Sequence, residues 1–176
     1  MADIGDIYLN IHDAISANVP YDVTVIFANG NSSPPEVPFV TVLISSYSTS
    51  GKAIRGEMDE EGGQTVTLRS RVVATVRVFG STPQESMSIA ELINDGFWLL
   101  DTRDILGKEI AYSQTIRGPE DVATLVAEEW EPQVLLEVEF ITVRDIVDDI
   151  GLIEIIEGTG IVENKSINIS VSEEEL

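Results

Sequence analysis

The run from Gln64 to Gly80 alternates between apolar and polar residues and predicts one long β-strand. Its apolar residues share one parity, and its threonines and arginines share the other. The two sets are Val66, Leu68, Val72, Ala74, Val76 and Val78, and Thr65, Thr67, Arg69, Arg71, Thr75 and Arg77. A period of two is typical of a strand with one buried face and one wet face. Such a strand is a scaffold without an evident catalytic group, so function has to be inferred from assembly and charge.

The residues that follow this strand predict a helix with a defined start. Thr82 takes the N-cap position, Pro83 the first helical position and Glu85 the third, which together form a capping box. The helix is expected to run from about Pro83 to Leu100 with an apolar stripe. The stripe comprises Met87, Ala90, Ile93, Phe97 and Leu100, broadened by Ile89, Leu92 and Trp98. Gly96 inside it is disfavoured by on the order of 1 kcal/mol relative to alanine, and either close approach of another backbone or early fraying would explain it.

Apolar periodicity and turn residues place the remaining elements. A helix is predicted over Asp3–Ala17, and Val122–Trp130 is either a short strand or a helix turn. The predicted strands are Tyr21–Ala28, Pro38–Tyr47, Lys108–Arg117, Gln133–Val147, Ile150–Ile156 and, as an edge or exchanged strand, Ile161–Val171. The predicted loops, turns and breaks are Asn29–Pro38, Ser48–Gly63, Thr102–Gly107, Gly118–Pro119 and Gly158–Gly160.

Consecutive, turn-linked strands predict a mostly antiparallel sheet. We therefore expect an α+β fold in which a twisted sheet has two main helices packed on one side. The 176 residues fit a single domain over 1–176. Within it, residues 48–63 are expected to form a flexible polar loop that becomes ordered against a neighbour, or a plain disordered hairpin tip. Residues 162–176 are expected to form an acidic C-terminal extension.

The charge of the chain is strongly negative and unevenly distributed. The formal net charge is −21, and 16 of the 31 acidic residues follow Pro119. That last third holds Arg144 and Lys165 as its only basic residues. Adhesion to nucleic acid needs a basic surface, so direct binding of DNA or RNA is not expected. The acidic surface either keeps the protein soluble or has a more specific role in assembly.

Residues for catalysis or metal binding are scarce. There is no cysteine, and His12, the single histidine, lies beside the apolar stripe of the first helix. Asp145, Asp148 and Asp149 form the densest carboxylate cluster, but their spacing does not match a calcium loop. No phosphate-binding or nucleophile motif occurs, and no signal peptide or membrane span is recognisable. We therefore expect neither an enzyme nor a cofactor, metal site or membrane association.

The polar faces of the two long strands carry opposite charges. Arg69, Arg71 and Arg77 lie on the first strand, and Glu137 and Glu139 lie on the second. Opposite charges on neighbouring strands contribute roughly 0.2–1 kcal/mol per pair. Pairing of Arg69 or Arg71 with Glu137 or Glu139 is predicted, either within one subunit or between subunits. A second acidic group, which faces either a loop or a channel, comprises Glu57, Asp59, Glu60 and Glu61.

In order and pattern, most of the chain resembles the tail-terminator or neck-terminator proteins of tailed bacteriophages. The matching features are the N-terminal amphipathic helix, the strand opened by Pro38-Phe39-Val40 and the glycine-rich loop Gly51–Gly63. They continue with Arg71-Val-Val-Ala-Thr-Val-Arg-Val-Phe-Gly80, the helix containing Ala90 and Leu92, and Gly151-Leu-Ile-Glu-Ile-Ile-Glu-Gly-Thr-Gly160. The chain from Val162 onward has no counterpart in this pattern.

The resemblance implies a structural virion protein that forms a ring, expected to be hexameric, at the head-proximal end of the tail. Such a ring caps the tail tube and joins it to the neck. The implied partners are copies of the same chain, the tail tube protein, a neck or head-completion protein and the sheath protein. DNA would pass without specific binding through an acidic channel, since six copies at −21 each carry a formal −126. Assembly in the host cytoplasm and a final location in the virion tail and neck are implied as well.

Other classes of protein fit the same pattern. The chain is alternatively another tube, baseplate or secretion-tube subunit, or a solitary acidic binding module. A metal-dependent enzyme using Asp145 or Asp149 is the remaining alternative. A strictly monomeric protein at micromolar concentration would favour the solitary module or the enzyme over the structural subunits.

Overall fold

The computed structural model describes residues 4–28, 30, 33–59, 63–126, 128–149, 155–162 and 165–172. In chain order the elements are α1 (Ile4–Ser16), β1 (Thr24–Phe27), β2 (Phe39–Thr49), β3 (Ile54–Met58), β4 (Gly63–Phe79), α2 (Pro83–Gly96), α3 (Leu100–Leu106), β5 (Ile110–Asp121), β6 (Thr124–Val126), β7 (Glu129–Glu131), β8 (Gln133–Asp149), β9 (Ile155–Val162) and β10 (Lys165–Ser172). The chain divides into two compact units, residues 1–53 with 67–145 and residues 54–66 with 146–176. The single domain predicted over 1–176 stays a prediction.

The first unit is built on a sheet with the strand order β1, β2, β4, β8, β5. β2 pairs antiparallel with β4, and β5 pairs antiparallel with β8, whereas β1 runs parallel to β2. Helices combined with a mainly antiparallel sheet confirm the predicted α+β class. The parallel pair differs from the expected turn-linked order. The connection from Phe27 to Phe39 returns the chain to the same end of the sheet, so both strands run in one direction.

One face of the sheet forms the core of this unit. Leu68 of β4 is only half-buried, and Glu139, predicted on the polar face of β8, is buried. The even-numbered residues 72–78 of β4 and 134–140 of β8 are fully or almost fully buried, which confirms the predicted apolar face over these stretches. These residues are Val72, Ala74, Val76 and Val78 on β4, and Val134, Leu136, Val138 and Phe140 on β8. Ile11 and Ile15 of α1 and Ile93 of α2 belong to the same apolar cluster. Packing of both main helices on one side of the sheet stays a prediction.

The predicted N-terminus of α2 is confirmed. Thr82 is the N-cap, Pro83 opens the helix, and Thr82 Oγ1 accepts a hydrogen bond from the Glu85 amide at 3.2 Å. The Glu85 carboxylate accepts from the Ser81 amide at 2.6 Å, one residue before the usual capping-box donor. The backbone amides of Ser81 and Glu85 therefore have hydrogen-bond acceptors where the chain leaves β4 and enters the helix.

Helix α2 ends at Gly96, earlier than the predicted Leu100, and a side chain from another element occupies the space beside this glycine. A Cβ atom added at Gly96 would lie 2.2 Å from Asn18 Cγ. Asn18 Nδ2 in turn donates to the Ala14 carbonyl at 2.7 Å and to Thr102 Oγ1 at 2.9 Å. Asn18 therefore joins the end of α1 to α2 and α3, and glycine is required where α2 passes it. The predicted approach of another backbone at Gly96 is wrong, because the Asn18 side chain makes the close contact.

Several predicted boundaries are wrong. The turn expected over 102–107 is the helix α3, with Thr102 and Leu106 buried on its inner face. The break expected at Gly118–Pro119 lies inside β5, which tolerates proline because it is an edge strand with register shifts nearby. β1 is shorter than the predicted 21–28. Thr124–Val126 and Glu129–Glu131 pair as the antiparallel hairpin β6–β7, which resolves the choice left open for that segment.

The second unit contains β3 and the hairpin β9–β10. The loop predicted over 48–63 is wrong for Ile54–Met58, because these residues form β3 and pair with β4. The turn predicted at Gly158–Gly160 is also wrong, because these residues lie in β9 and pair with residues 167–169 of β10. Residues 150–154 of the predicted strand and residues 173–176 of the acidic extension lie outside the described residues. The flexibility of 48–63 stays a prediction.

Replacing Gly96 with alanine should destabilise the protein despite the better helix propensity of alanine. The added methyl overlaps Asn18, and overpacking of this kind costs roughly 1–3 kcal/mol. Gly5→Ala in α1 is the matched control, since no atom lies within 4 Å of the new Cβ, and it should be neutral or slightly stabilising. Chemical denaturation measures both variants. Equal stability of the two would refute the tight contact between α2 and Asn18.

Candidate assembly surfaces

One arginine of β4 pairs with a carboxylate of the neighbouring strand β8. Arg71 Nε and Glu139 Oε2 form an ion pair, and Ser113 Oγ on β5 donates to Glu139 Oε1 at 2.9 Å. Glu139 is only 7% exposed, so its charge depends on these two partners. Ion pair and hydroxyl together link three adjacent strands across the polar face of the sheet.

Glu137 lies opposite a different arginine. Its Cα partner across the ladder between β8 and β5 is Arg117. Arg117 also pairs with Glu120, three residues later on its own strand. That side-chain hydrogen bond raises the pKa of Arg117 and lowers the pKa of Glu120, against a smaller opposing effect of desolvation. Both side chains are well exposed, so water screens this pair and its contribution to folding is small.

Arg69 and Arg77 differ from Arg71, because neither pairs with an acid in the part of the chain that the structure describes. Both lie on the odd-numbered face of β4 and both are exposed. In a chain with three acids for every base, two unpaired arginines on one sheet face are unusual. They are the bases of this row that remain available to another molecule.

Arg77 lines an apolar groove of about 930 Å³ on the sheet face opposite the core. The floor carries the odd-numbered residues of β2 and β4, and Phe39 stacks on Phe79 with ring centroids 4.5 Å apart. One wall is formed by Ala28, Gly30, Pro34, Pro35 and Val37, and the other by the β6–β7 hairpin with Trp130. We call this feature the outer-face groove. Its exposed large apolar side chains include Phe27, Val37, Leu43, Val126 and Trp130.

The acids predicted for a loop or channel are only partly described. Glu57 lies on β3 and is exposed. Asp59 Oδ1 accepts from the Gly63 amide at 2.6 Å, and the Asp59 amide donates to the Gly63 carbonyl at 2.8 Å, so Asp59 is bonded to Gly63 through both side chain and backbone. Glu60 and Glu61 lie outside the described residues.

Large apolar side chains are also exposed where α2 meets α3. Leu92 is 51%, Trp98 71%, Leu99 57% and Leu100 66% exposed. Leu92, Trp98 and Leu100 were predicted to belong to the buried stripe of one long helix. That prediction is wrong. Trp98 and Leu100 lie beyond the end of α2 at Gly96, and Leu92 lies on the exposed side of α2 itself. We call these four residues, with the depression of about 400 Å³ beside Leu92 and Leu99, the helix-junction patch.

Comparison with known protein families identifies the family to which this chain belongs. The family model described as phage neck terminator protein matches residues 5–165. The chain belongs to this family. The suspected resemblance is therefore confirmed, and the protein is a structural component of the phage tail and neck that associates with other proteins there. A search of curated proteins gave no match.

For this family member, the polar residues considered for catalysis have structural partners. His12 Nε2 lies 3.2 Å from the Val25 carbonyl of β1, and its ring packs 4.9 Å from the ring of Phe27. Asp145 Oδ1 accepts from Thr67 Oγ1 at 2.5 Å, and Asp148 pairs with Arg55 at 3.2 Å. Within the described ranges, no three histidine or carboxylate side chains are grouped to hold a metal ion. No described helix combines the length and apolar character needed to cross a bilayer.

Sequence patterns indicated one of these surfaces and missed the other two. The alternation along β4 predicts the arginine row. The outer-face groove is built from segments far apart in the chain, so no periodic pattern in the sequence predicts it. The helix-junction patch did have a signal in the sequence. Three large apolar residues, Trp98, Leu99 and Leu100, come shortly after Gly96, and a glycine near the end of a helical pattern marks a possible helix end.

Arg71→Met should destabilise the protein by about 1–2 kcal/mol, because it leaves the Glu139 carboxylate buried with Ser113 alone. Removing one partner of a fully buried pair costs about 3–5 kcal/mol, and the partial exposure of Arg71 reduces that figure. Arg69→Met, on the same face without a described partner, is the control and should change stability by less than about 0.5 kcal/mol. Urea denaturation compares them. Equal losses would show that the pair does not stabilise the fold.

Proposed function

We propose that this chain forms a closed ring, expected to be a hexamer, at the head-proximal end of a phage tail. There it caps the tail tube and joins it to the neck. The observation that carries the proposal is the match to the neck terminator family over nearly the whole chain. Tail tube protein, a neck or head-completion protein and the sheath protein are the proposed partners, and assembly takes place in the host cytoplasm.

A ring of identical copies needs two different complementary surfaces on each copy, because its contacts are head-to-tail. The outer-face groove supplies one such surface, with exposed Leu43, Val126 and Trp130 around the unpaired Arg77. The complementary surface must offer apolar side chains and a carboxylate for Arg77. Acids are abundant enough that the second requirement is easily met.

Backbone pairing offers a further route to neighbouring copies. β1 and β5 are the edge strands of the main sheet, and exposed edges readily accept another strand. Each of these edges is short or interrupted. β1 has only four residues, and the backbone of Pro119 in β5 cannot donate a hydrogen bond to an added strand. The segment 48–63 and the β9–β10 hairpin are proposed to contact neighbours in the same way.

The acidic excess suits a channel through which DNA passes without adhering. Phosphates and carboxylates repel each other over roughly 8 Å at physiological salt, so only residues facing the channel contribute. Glu57 and Asp59 are proposed to be among them, together with Glu60 and Glu61. The same excess makes copies repel one another. Pairs formed by Arg69 and Arg77 across the subunit boundary would offset that repulsion locally.

Electron microscopy of the purified protein mixed with its tail tubes tests the proposal. We expect a ring at one end of each tube and no further growth of capped tubes when free tube subunits are added. Tubes that remain uncapped and continue to grow in the presence of the protein would contradict the proposed role.

Arg77→Ala should weaken ring formation by about tenfold or more, because the acid that faces Arg77 in the neighbouring copy would lose its partner. Arg103→Ala, an exposed arginine on α3 away from the groove, is the matched control and should assemble normally. Native mass spectrometry or sedimentation at several concentrations, with tail tubes where assembly requires them, measures the difference. Equal assembly of both variants would remove Arg77 from the interface.

A further inference from the structure

The helix-junction patch has the properties of a protein docking surface. Its four large apolar side chains are each more than half exposed and lie close together in the chain, on α2 and at the start of α3. Leu92 and Leu99 border a depression that can receive a side chain from another molecule. Exposed apolar clusters with an adjacent pocket typically mark interaction sites, and buried aromatic anchors dominate such interfaces.

The charges around the patch select the kind of partner. Glu91, Asp95, Asp101 and Asp104 are exposed on α2 and α3, whereas Arg103 is the one base among the described residues of these two helices. Asp95 lines the depression itself. A partner that approaches this rim must be basic, because like charges opposed at an interface cost affinity.

The backbone adds to the same negative potential. Residues 17–20, directly after α1, and Asp95 and Gly96, at the end of α2, line the depression together. A helix C-terminus carries a partial negative charge that basic side chains normally offset. Neither helix has a basic residue in its last turn, and α2 has Asp95 there instead. Two helix ends and a carboxylate thus meet at one depression without a described cation.

We propose that the helix-junction patch binds a different virion protein, which inserts an arginine or lysine into the depression and packs large apolar side chains on Trp98 and Leu100. A second copy of this chain is a poor occupant, since its own surface is dominated by acids. This inference rests on the proposed role in the neck, but it concerns a surface separate from the outer-face groove.

Site-specific photocross-linking in assembled virions tests the proposal. The chain is supplied with p-benzoylphenylalanine at position 99 during infection by a phage that lacks its own copy, and purified virions are irradiated. We expect an adduct with a different virion protein, on a peptide with Arg or Lys next to large apolar residues. The same probe at Leu9, an exposed position on α1, supplies the background.

Three results would overturn the proposal. They are an adduct with another copy of this chain, an adduct on a segment without a base, and a yield at position 99 no higher than at position 9. If the chain with the probe at position 99 does not enter virions, the probe at position 92, on the other side of the depression, gives the same test.

Charge reversal separates this docking from ring formation. Asp95→Lys should lower the adduct yield at least fivefold, whereas Asp13→Lys, an equal charge change at an exposed position of α1 that lines neither the groove nor the depression, should leave it within twofold. Both variants should form rings and melt like the parent protein. Loss of rings in Asp95→Lys would place the patch in the ring interface, and an unchanged yield would remove the basic side chain from the depression; either result contradicts the proposal.

Discussion

The alternation of side chains along β4 determines which surfaces this protein can offer to other molecules. Its even-numbered residues from Val72 to Val78 are buried in the apolar cluster that also includes residues of α1, α2 and β8. Its odd-numbered residues are therefore fixed on the opposite face, because a shift of one residue would exchange the two sets. The arginine row and the floor of the outer-face groove follow from that constraint. Assembly and folding thus depend on the same strand, through opposite faces.

Charge pairing explains why only some of the arginines on the polar face of β4 are available to bind another molecule. Arg71 is committed to Glu139, which is too deeply buried to remain unpaired. Arg69 and Arg77 have no acidic partner among the described residues. In a chain so rich in acids, the bases left without a partner are where a neighbouring acidic copy can be held. The helix-junction patch shows the reverse arrangement, with acids around apolar side chains, and it suits a partner of opposite charge.

Local patterns predicted the parts of the fold that local forces determine. Strand period gave the buried faces of β4 and β8, and the Thr82–Glu85 pair gave the start of α2. The need for glycine at position 96 could not be predicted, because Asn18, remote in sequence, occupies the space beside it. Likewise, Pro119 appeared to be a strand break because its tolerance depends on β5 lying at the edge of the sheet. The outer-face groove is built from three segments that are distant in the chain, so no pattern within a single stretch of sequence predicts it.

The central claim is that the chain acts through contacts with copies of itself and with other neck proteins. A side-chain-resolution electron cryomicroscopy structure of the assembled virion neck tests it most directly. The account predicts a ring in which each outer-face groove is covered by the adjacent copy and Arg77 lies beside a carboxylate of that copy. A single copy in the neck, or a ring whose grooves are all open to solvent, would contradict it.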